Sequence, residues 1–177
     1  MPRCISDYLK QEHEELSQLL NKLTDQLRAL PLARDTVETF ERLRKLSAQI
    51  SRRLQTHLEE EEKILYPALE EHVQGVTTTL DRMRLEHDTG EAAAEAFWQS
   101  IERLTESGRN RGDVAESGRR YIQWVRGHLL SENGRLFPLV ERRLDPETQR
   151  QIRRAMEELS QETEARVAEG STEPAQA

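Results

Sequence analysis

His57, Glu61 and the trio Leu65, Tyr66 and Pro67 return at the same offsets as His128, Glu132, Leu136, Phe137 and Pro138. A His-x-x-x-Glu spacing places an imidazole and a carboxylate one turn apart on one face of a helix, because residues i and i+4 are neighbours there. Each copy therefore demands a helix, and two such helices facing each other supply two His and two Glu. Each copy also follows a Glu-His pair, Glu12-His13 and Glu86-His87, whose histidines stand 44 and 41 residues before His57 and His128. Four histidines from four segments, with two glutamates, make a duplicated metal-ligand framework. Only His72 falls outside it. At about 22 Å beyond His57 along an unbroken helix, and past Pro67, it reads as a surface or helix-end residue.

The apolar pattern puts all four histidines on inward stripes. A first helix, about Ser6 to Leu30, carries Leu9, Leu16, Leu20, Leu23 and Leu27 with His13 among them, and Pro31 ends it. Asp35 and Glu38 form a capping box for a second, whose stripe runs Val37, Phe40, Ile50, Leu54, His57, Glu61 and Ile64. Pro67 is expected to kink or end it, and Gly75 marks a turn. A third, about Thr77 to Ser107, aligns Leu80, Met83, His87, Ala94, Trp98 and Ile101. Asp113 and Glu116 offer another capping box for a fourth with Tyr121, Val125, His128, Glu132 and Leu139, kinked or ended near Pro138. Asp145-Pro146 has the form of an N-cap followed by proline at the first helical position, opening a fifth helix to about Glu169.

Four long amphipathic helices with short connections predict an all-α fold, an antiparallel up-down-up-down four-helix bundle with a short additional C-terminal helix. The expected division is a bundle over 1–144, an appended helix over 145–169 and a disordered tail over 170–177. A single inward histidine is commonly a core residue bonded to backbone. Four of them, two with a glutamate at i+4, would leave several titratable groups unpartnered in an apolar interior, at a cost of kcal/mol each. A metal removes that cost. The nitrogen and oxygen donors suit iron, manganese or zinc, and six ligands fit two ions roughly 3.5 to 4 Å apart, each glutamate bridging both.

Other function classes find little support. The net charge of −7 disfavours sequence-independent nucleic-acid binding, which needs a basic footprint. The apolar runs are too short for a membrane span, and no signal segment is seen, so the expected location is cytoplasmic. One cysteine, Cys4, speaks against zinc-thiolate chemistry and reads as a plain terminal residue. No histidine has a glutamate three residues before it, as ferritin-like bundles require. Protease, hydrolase-elbow, dinucleotide and phosphate-loop motifs are missing as well.

At His13, His57-x-x-x-Glu61 with Leu65-Tyr66-Pro67, His87, and His128-x-x-x-Glu132 with Leu136-Phe137-Pro138, the chain resembles the haemerythrin-like, or HHE, family over roughly Ser6 to Val140. The resemblance implies a four-helix bundle holding two non-haem iron ions. His13, His57, His87 and His128 would be terminal ligands, and Glu61 and Glu132 bridges. It further implies oxygen or nitric oxide as a small ligand, or the handling of iron itself, and peroxide is expected beside them as a ligand for the same centre. Binding or sensing is expected ahead of enzymatic turnover of peroxide or nitric oxide, and a structural metal in an interaction bundle is the remaining reading. A homo-oligomer stays open. Oxygen carriers of this family place a further histidine one turn after the third-helix histidine, and here that position is Glu91. Glu91 could be an added ligand, a hydrogen-bond acceptor or a solvated residue. The copies differ elsewhere too: Ile64 against Arg135 on the stripe beyond each glutamate, and Ser17 against Glu91.

Overall fold

The structure, a computed structural model, describes residues 4–32, 36–104 and 109–170. These residues are helical nearly throughout, with no strand among them. Helix α1 (Ile5–Ala29) tightens into a 3-10 turn at Leu30–Leu32, where Pro31 ends it. Helix α2 (Thr36–Glu60) passes through a π-helical segment (Glu61–Leu65) into α3 (Tyr66–His72). Gly75 then turns the chain at a φ of 75°, in the left-handed region that glycine adopts without steric cost. Helices α4 (Thr77–Glu102), α5 (Arg111–Arg143) and α6 (Pro146–Gly170) follow. Among them, none is long and apolar enough to cross a membrane.

Packing follows from the stripes. Helix α1 lies against α2 and α5, and α4 lies against the same two, so the four long helices close a ring around a shared interior. That interior holds two apolar cores. One gathers Leu16, Leu20, Leu54, Phe97, Val125 and Leu129, and the other gathers Leu9, Leu65, Tyr66, Met83, Leu136 and Phe137. On every helix of the ring a histidine stands between the two sets: His13 between Leu9 and Leu16, His57 between Leu54 and Leu65, His87 between Met83 and Phe97, and His128 before Leu136. A polar layer thus separates two greasy ends.

Helix α6 is capped as its sequence requires, Asp145 Oδ1 accepting the backbone N–H groups of Glu147 and Thr148 at 2.9 and 3.1 Å. Its Ile152 and Met156 join the second core, and it packs on α1, α2 and the π segment.

Several expectations need correction. The α5 helix starts at Arg111 with no side-chain cap, so Asp113 lies inside its first turn and caps nothing. Pro138 does not end it; the helix continues to Arg143. Four residues earlier stands exposed Gly134, so the carbonyl that the proline leaves without its donor is open to water instead of orphaned. Val37 is 54% exposed, and Arg135 is an exposed residue rather than part of the inward stripe. Helix α4 stops at Glu102, short of Ser107, and α6 is not short: it runs 25 residues to Gly170, the length of α1 and of α2. Asp35 of the first capping box, Ser107 and the tail beyond Gly170 lie outside the described residues. His72 is exposed at the end of α3, as read.

Candidate metal centre

The polar layer brings six of the candidate residues together. His57, Glu61, His128 and Glu132 form its middle, each offering one ligand atom within 4.8 Å of the others, and all four are buried. Glu132 is the hub. Its Oε2 lies 3.0 Å from His13 Nε2 and 3.4 Å from His57 Nε2, and its Oε1 lies 3.0 Å from His128 Nε2. Glu61 reaches the fourth imidazole, with Oε2 3.5 Å from His87 Nε2. The rings fall into two close pairs, His13 with His57 at 5.0 Å between centroids and His87 with His128 at 4.8 Å, against 6.1 Å from His57 to His128. The first pair shares Glu132 Oε2, whereas in the second His87 meets Glu61 and His128 meets Glu132.

The π segment decides what Glu61 meets. In it the Tyr66 backbone N–H bonds the Glu61 carbonyl five residues back, a wider turn of the kind that recurs at functional sites. The widened turn stacks Tyr66 over Glu61, and its hydroxyl donates to Glu61 Oε2 at 3.1 Å while sitting 3.3 Å from His87 Nε2. The tyrosine ring also stacks on His87, with centroids 5.9 Å apart. In the second copy α5 keeps its regular winding, and Phe137 packs on His13 at 5.0 Å with no hydroxyl to offer.

Two imidazoles are backed by acids through their outer nitrogens. His57 Nδ1 lies 3.3 Å from Glu12 Oε2, and His87 Nδ1 lies 2.6 Å from Glu62 Oε1. The other two have no such partner: Nδ1 of His13 and of His128 is buried without a hydrogen bond. Aromatic faces hold these instead, Phe137 on His13 and the Trp124 indole on His128, the latter nearly parallel at 4° and 5.5 Å. Trp124 is fixed by its Nε1–H donating to the Glu86 carbonyl at 2.9 Å. It also needs Gly90, because a methyl built there would overlap the indole.

Electrostatics in the layer are those of a site built for cations. Burial disfavours the charged form of His57, but Glu61, Glu132 and the Glu12 contact outweigh it and hold the pKa well above its ordinary value. His87 is raised as well, against burial, by Glu61 and Glu62. His13 goes down, burial winning over its contact with Glu132. Burial and repulsion from Glu132 push Glu61 up to about 7. Glu132, despite burial, is held well below the carboxylate range by His128 and His57. Beside them Glu60 is fully buried, accepts the Tyr8 hydroxyl at 3.0 Å and is pushed up to about 8 by burial and by Glu12.

Protein groups alone do not satisfy this layer. Nδ1 of His13 and of His128 and Glu61 Oε1 are buried without a hydrogen bond, each at a desolvation penalty of about 1–3 kcal/mol, and His13 Nε2 and His128 Nε2 lie 3.0 Å from Glu132 without the alignment of a hydrogen bond. Those atoms have the donor chemistry of a divalent first-row cation. Glu91 does not join them. It is exposed, outside the buried cluster, at the rim of a cavity that reaches His87.

The four inward histidines and two glutamates were readable from the duplication. The supports were not. Glu12 was visible only as the partner in a Glu-His pair, and Tyr66 only as part of Leu-aromatic-Pro. Glu62 carried no signal, while Trp124, four residues before His128, offered a helical neighbour that the stripes passed over. Compared with known protein families, residues 4–140 match the model described as Hemerythrin HHE cation binding domain. Neither the curated proteins nor the solved structures give a significant match.

Proposed function

The chain belongs to the hemerythrin HHE cation-binding domain family, and from that premise we propose that it holds a non-haem di-iron centre for binding or sensing a small ligand or for handling iron. The observation that carries this reading is the buried layer whose orphaned nitrogens and oxygens all come from the two copies of the repeat. His13 and His57 would hold one ion and His87 and His128 the other, with Glu61 and Glu132 shared between them. The ring packing and short connections support an antiparallel up-down-up-down arrangement of α1, α2, α4 and α5 around that centre.

The metal would supply Lewis acidity and a redox couple at a site closed to bulk water. Oxygen, nitric oxide and peroxide are the ligand class, small enough for a layer whose imidazoles are each at most 5% exposed. The Tyr66 hydroxyl supports a second reading, turnover of peroxide or nitric oxide. It sits within hydrogen-bond reach of both Glu61 and His87, a position from which it can donate to an oxygen atom bound beside them.

Metal analysis of the reconstituted chain, with optical spectra in both redox states and under nitric oxide, tests the reading. Two irons per chain and a spectral response are expected. Well under one iron per chain would overturn it, whereas chelation that unfolds the protein without any spectral response would make the metal structural. Steady turnover that vanishes in Tyr66→Phe, at unchanged iron content, would favour the enzyme.

A further inference from the structure

Every imidazole and carboxylate of the layer is at most 5% exposed, so an ion must pass between helices to reach it. Two cavities touch candidate ligands. One, of about 520 Å³, lies between α2 and α4 and touches His87; the other, of about 680 Å³, lies against α5 and touches His128. The Trp124 indole borders both and divides them.

Their charges are opposite. The cavity at His87 is lined by Glu59, Glu62, Asp88 and Glu91 and by no lysine or arginine. Of these, Glu59 is tied to Lys63 at 2.7 Å and Glu62 to His87. Asp88 and Glu91 are exposed at the mouth. The cavity at His128 instead carries Arg120 and Arg135, and its one carboxylate, Glu86, is engaged by Arg82 at 3.6 Å and Arg135 at 3.4 Å. Apolar walls focus such fields and concentrate ions of the attracted sign; here Leu54, Leu58 and Ala94 provide them. A second observation points the same way. The Tyr121 side chain lines the cavity at His87 and is 1% exposed, and its hydroxyl faces only Ser51, across the same cavity and out of normal hydrogen-bond alignment. It is a buried polar atom suited to the hydration water of an arriving ion.

We propose that the cavity between α2 and α4 is the port by which a divalent cation reaches the buried layer, with Asp88 and Glu91 at its mouth and the Glu62–His87 hydrogen bond at its inner end. Glu62, 48% exposed yet bonded to the imidazole, faces both the cavity and the layer and passes the ion from one to the other. The port rests on the reading of the layer as a metal centre. It gives Glu91 a role that does not require ligation.

The test is the rate of Fe2+ uptake by the metal-free 177-residue chain under anaerobic conditions. It is followed by quenching of tryptophan emission, to which Trp124 beside His128 contributes, and by iron per chain at the end. The double variant Asp88→Asn/Glu91→Gln should slow uptake about three- to tenfold at low salt, the gap closing as salt screens the mouth. Its final iron content should match the wild type. Uptake as fast as wild type, or hastened several-fold instead by Arg120→Gln/Arg135→Gln, would overturn the port. A lower final iron content in the double variant would overturn it too, since those carboxylates would then hold the ion. If the wild-type chain itself ends without iron, the reading of the centre fails first, and the port with it.

Discussion

The two copies of the repeat share their ligands and differ in almost everything that holds them. Around Glu12 stand Tyr8, Glu60 and Ile64, and Glu12 reaches His57. At the same offsets around Glu86 stand Arg82, Ser131 and Arg135, which draw that carboxylate away from His128. Where copy one has Leu16 and Arg53, the latter paired with Glu15, copy two has Gly90 and Trp124, and the indole stacks on the face of His128 while the imidazole's Nδ1 edge has no carboxylate. Tyr66 answers Phe137, and Glu62 answers Asn133. The two copies agree in their donors, yet each close pair of imidazoles has one member backed by an acid and one backed by an aromatic ring.

The largest expected effect sets the two glutamates against each other. Glu132 lies against three imidazoles and Glu61 against one. In Glu132→Ala the metal-free chain should lose about 3–5 kcal/mol, because three buried imidazoles lose the carboxylate they lie against, and iron should fall well below one per chain. Glu61→Ala should keep close to one. Equal losses, by denaturant titration and metal analysis, would make the copies equivalent and break the comparison.

Next come the acids behind the imidazoles. Glu12→Gln and Glu62→Gln should each weaken metal affinity about 10- to 100-fold, the usual effect of disturbing a ligand's orienting partner. Glu86→Gln should leave it unchanged. A loss in Glu86→Gln measured by competition with a chelator would return Glu86 to the role that symmetry suggests. Tyr66→Phe, which makes copy one resemble copy two, should cost about 1–2 kcal/mol of metal-free stability through the lost hydrogen bond. The reverse change, Phe137→Tyr, should gain nothing, since no π turn precedes it to bring a carboxylate under the new hydroxyl.

Acidity gives the smallest and most graded contrast. Protons compete with the ion for imidazole, and His57 and His87, both raised above 6.5, hold theirs at higher pH than His13, which is lowered. Metal affinity should therefore begin to fall above pH 6.5 on acidification, with His13 joining below it. A flat affinity between about pH 7.5 and 5.5 would rule out these histidines as ligands. Without metal the sign reverses. A raised histidine stabilises the fold fully below its unfolded pKa of 6.5 and loses that contribution as pH climbs through the higher folded value. The metal-free chain should accordingly weaken toward alkaline pH as His57 gives up its proton.

The stripes made the helices, and the inward place of each histidine, legible in the sequence, because burial follows a period of 3.6 residues. What they did not contain was the rotation of one helix against the next. Glu61, Glu132 and Glu91 all lie four residues after a histidine, yet only the first two enter the layer. Spacing fixes a side chain relative to its own helix and says nothing of what the neighbouring helix brings opposite. Arg135 and Val37 were misplaced for the same reason. The π turn leaves no periodic signal, since Leu65 and Tyr66 are buried core residues in either winding, and of the two outcomes expected at Pro138, a kink or an end, the helix does not end, its i−4 partner being the exposed Gly134.

The polar layer between the two apolar cores also bears on how the molecule comes apart. Cooperative unfolding requires that loosening one part cost the next its contacts, and a sheet of charged groups transmits such costs poorly unless something binds across it. An ion gripped by side chains from all four helices would weld the halves into one thermodynamic unit. Stripped of it, amide exchange should resolve two populations of protected hydrogens, one around Leu20 and Phe97 and another around Leu65 and Phe137, each opening at its own free energy.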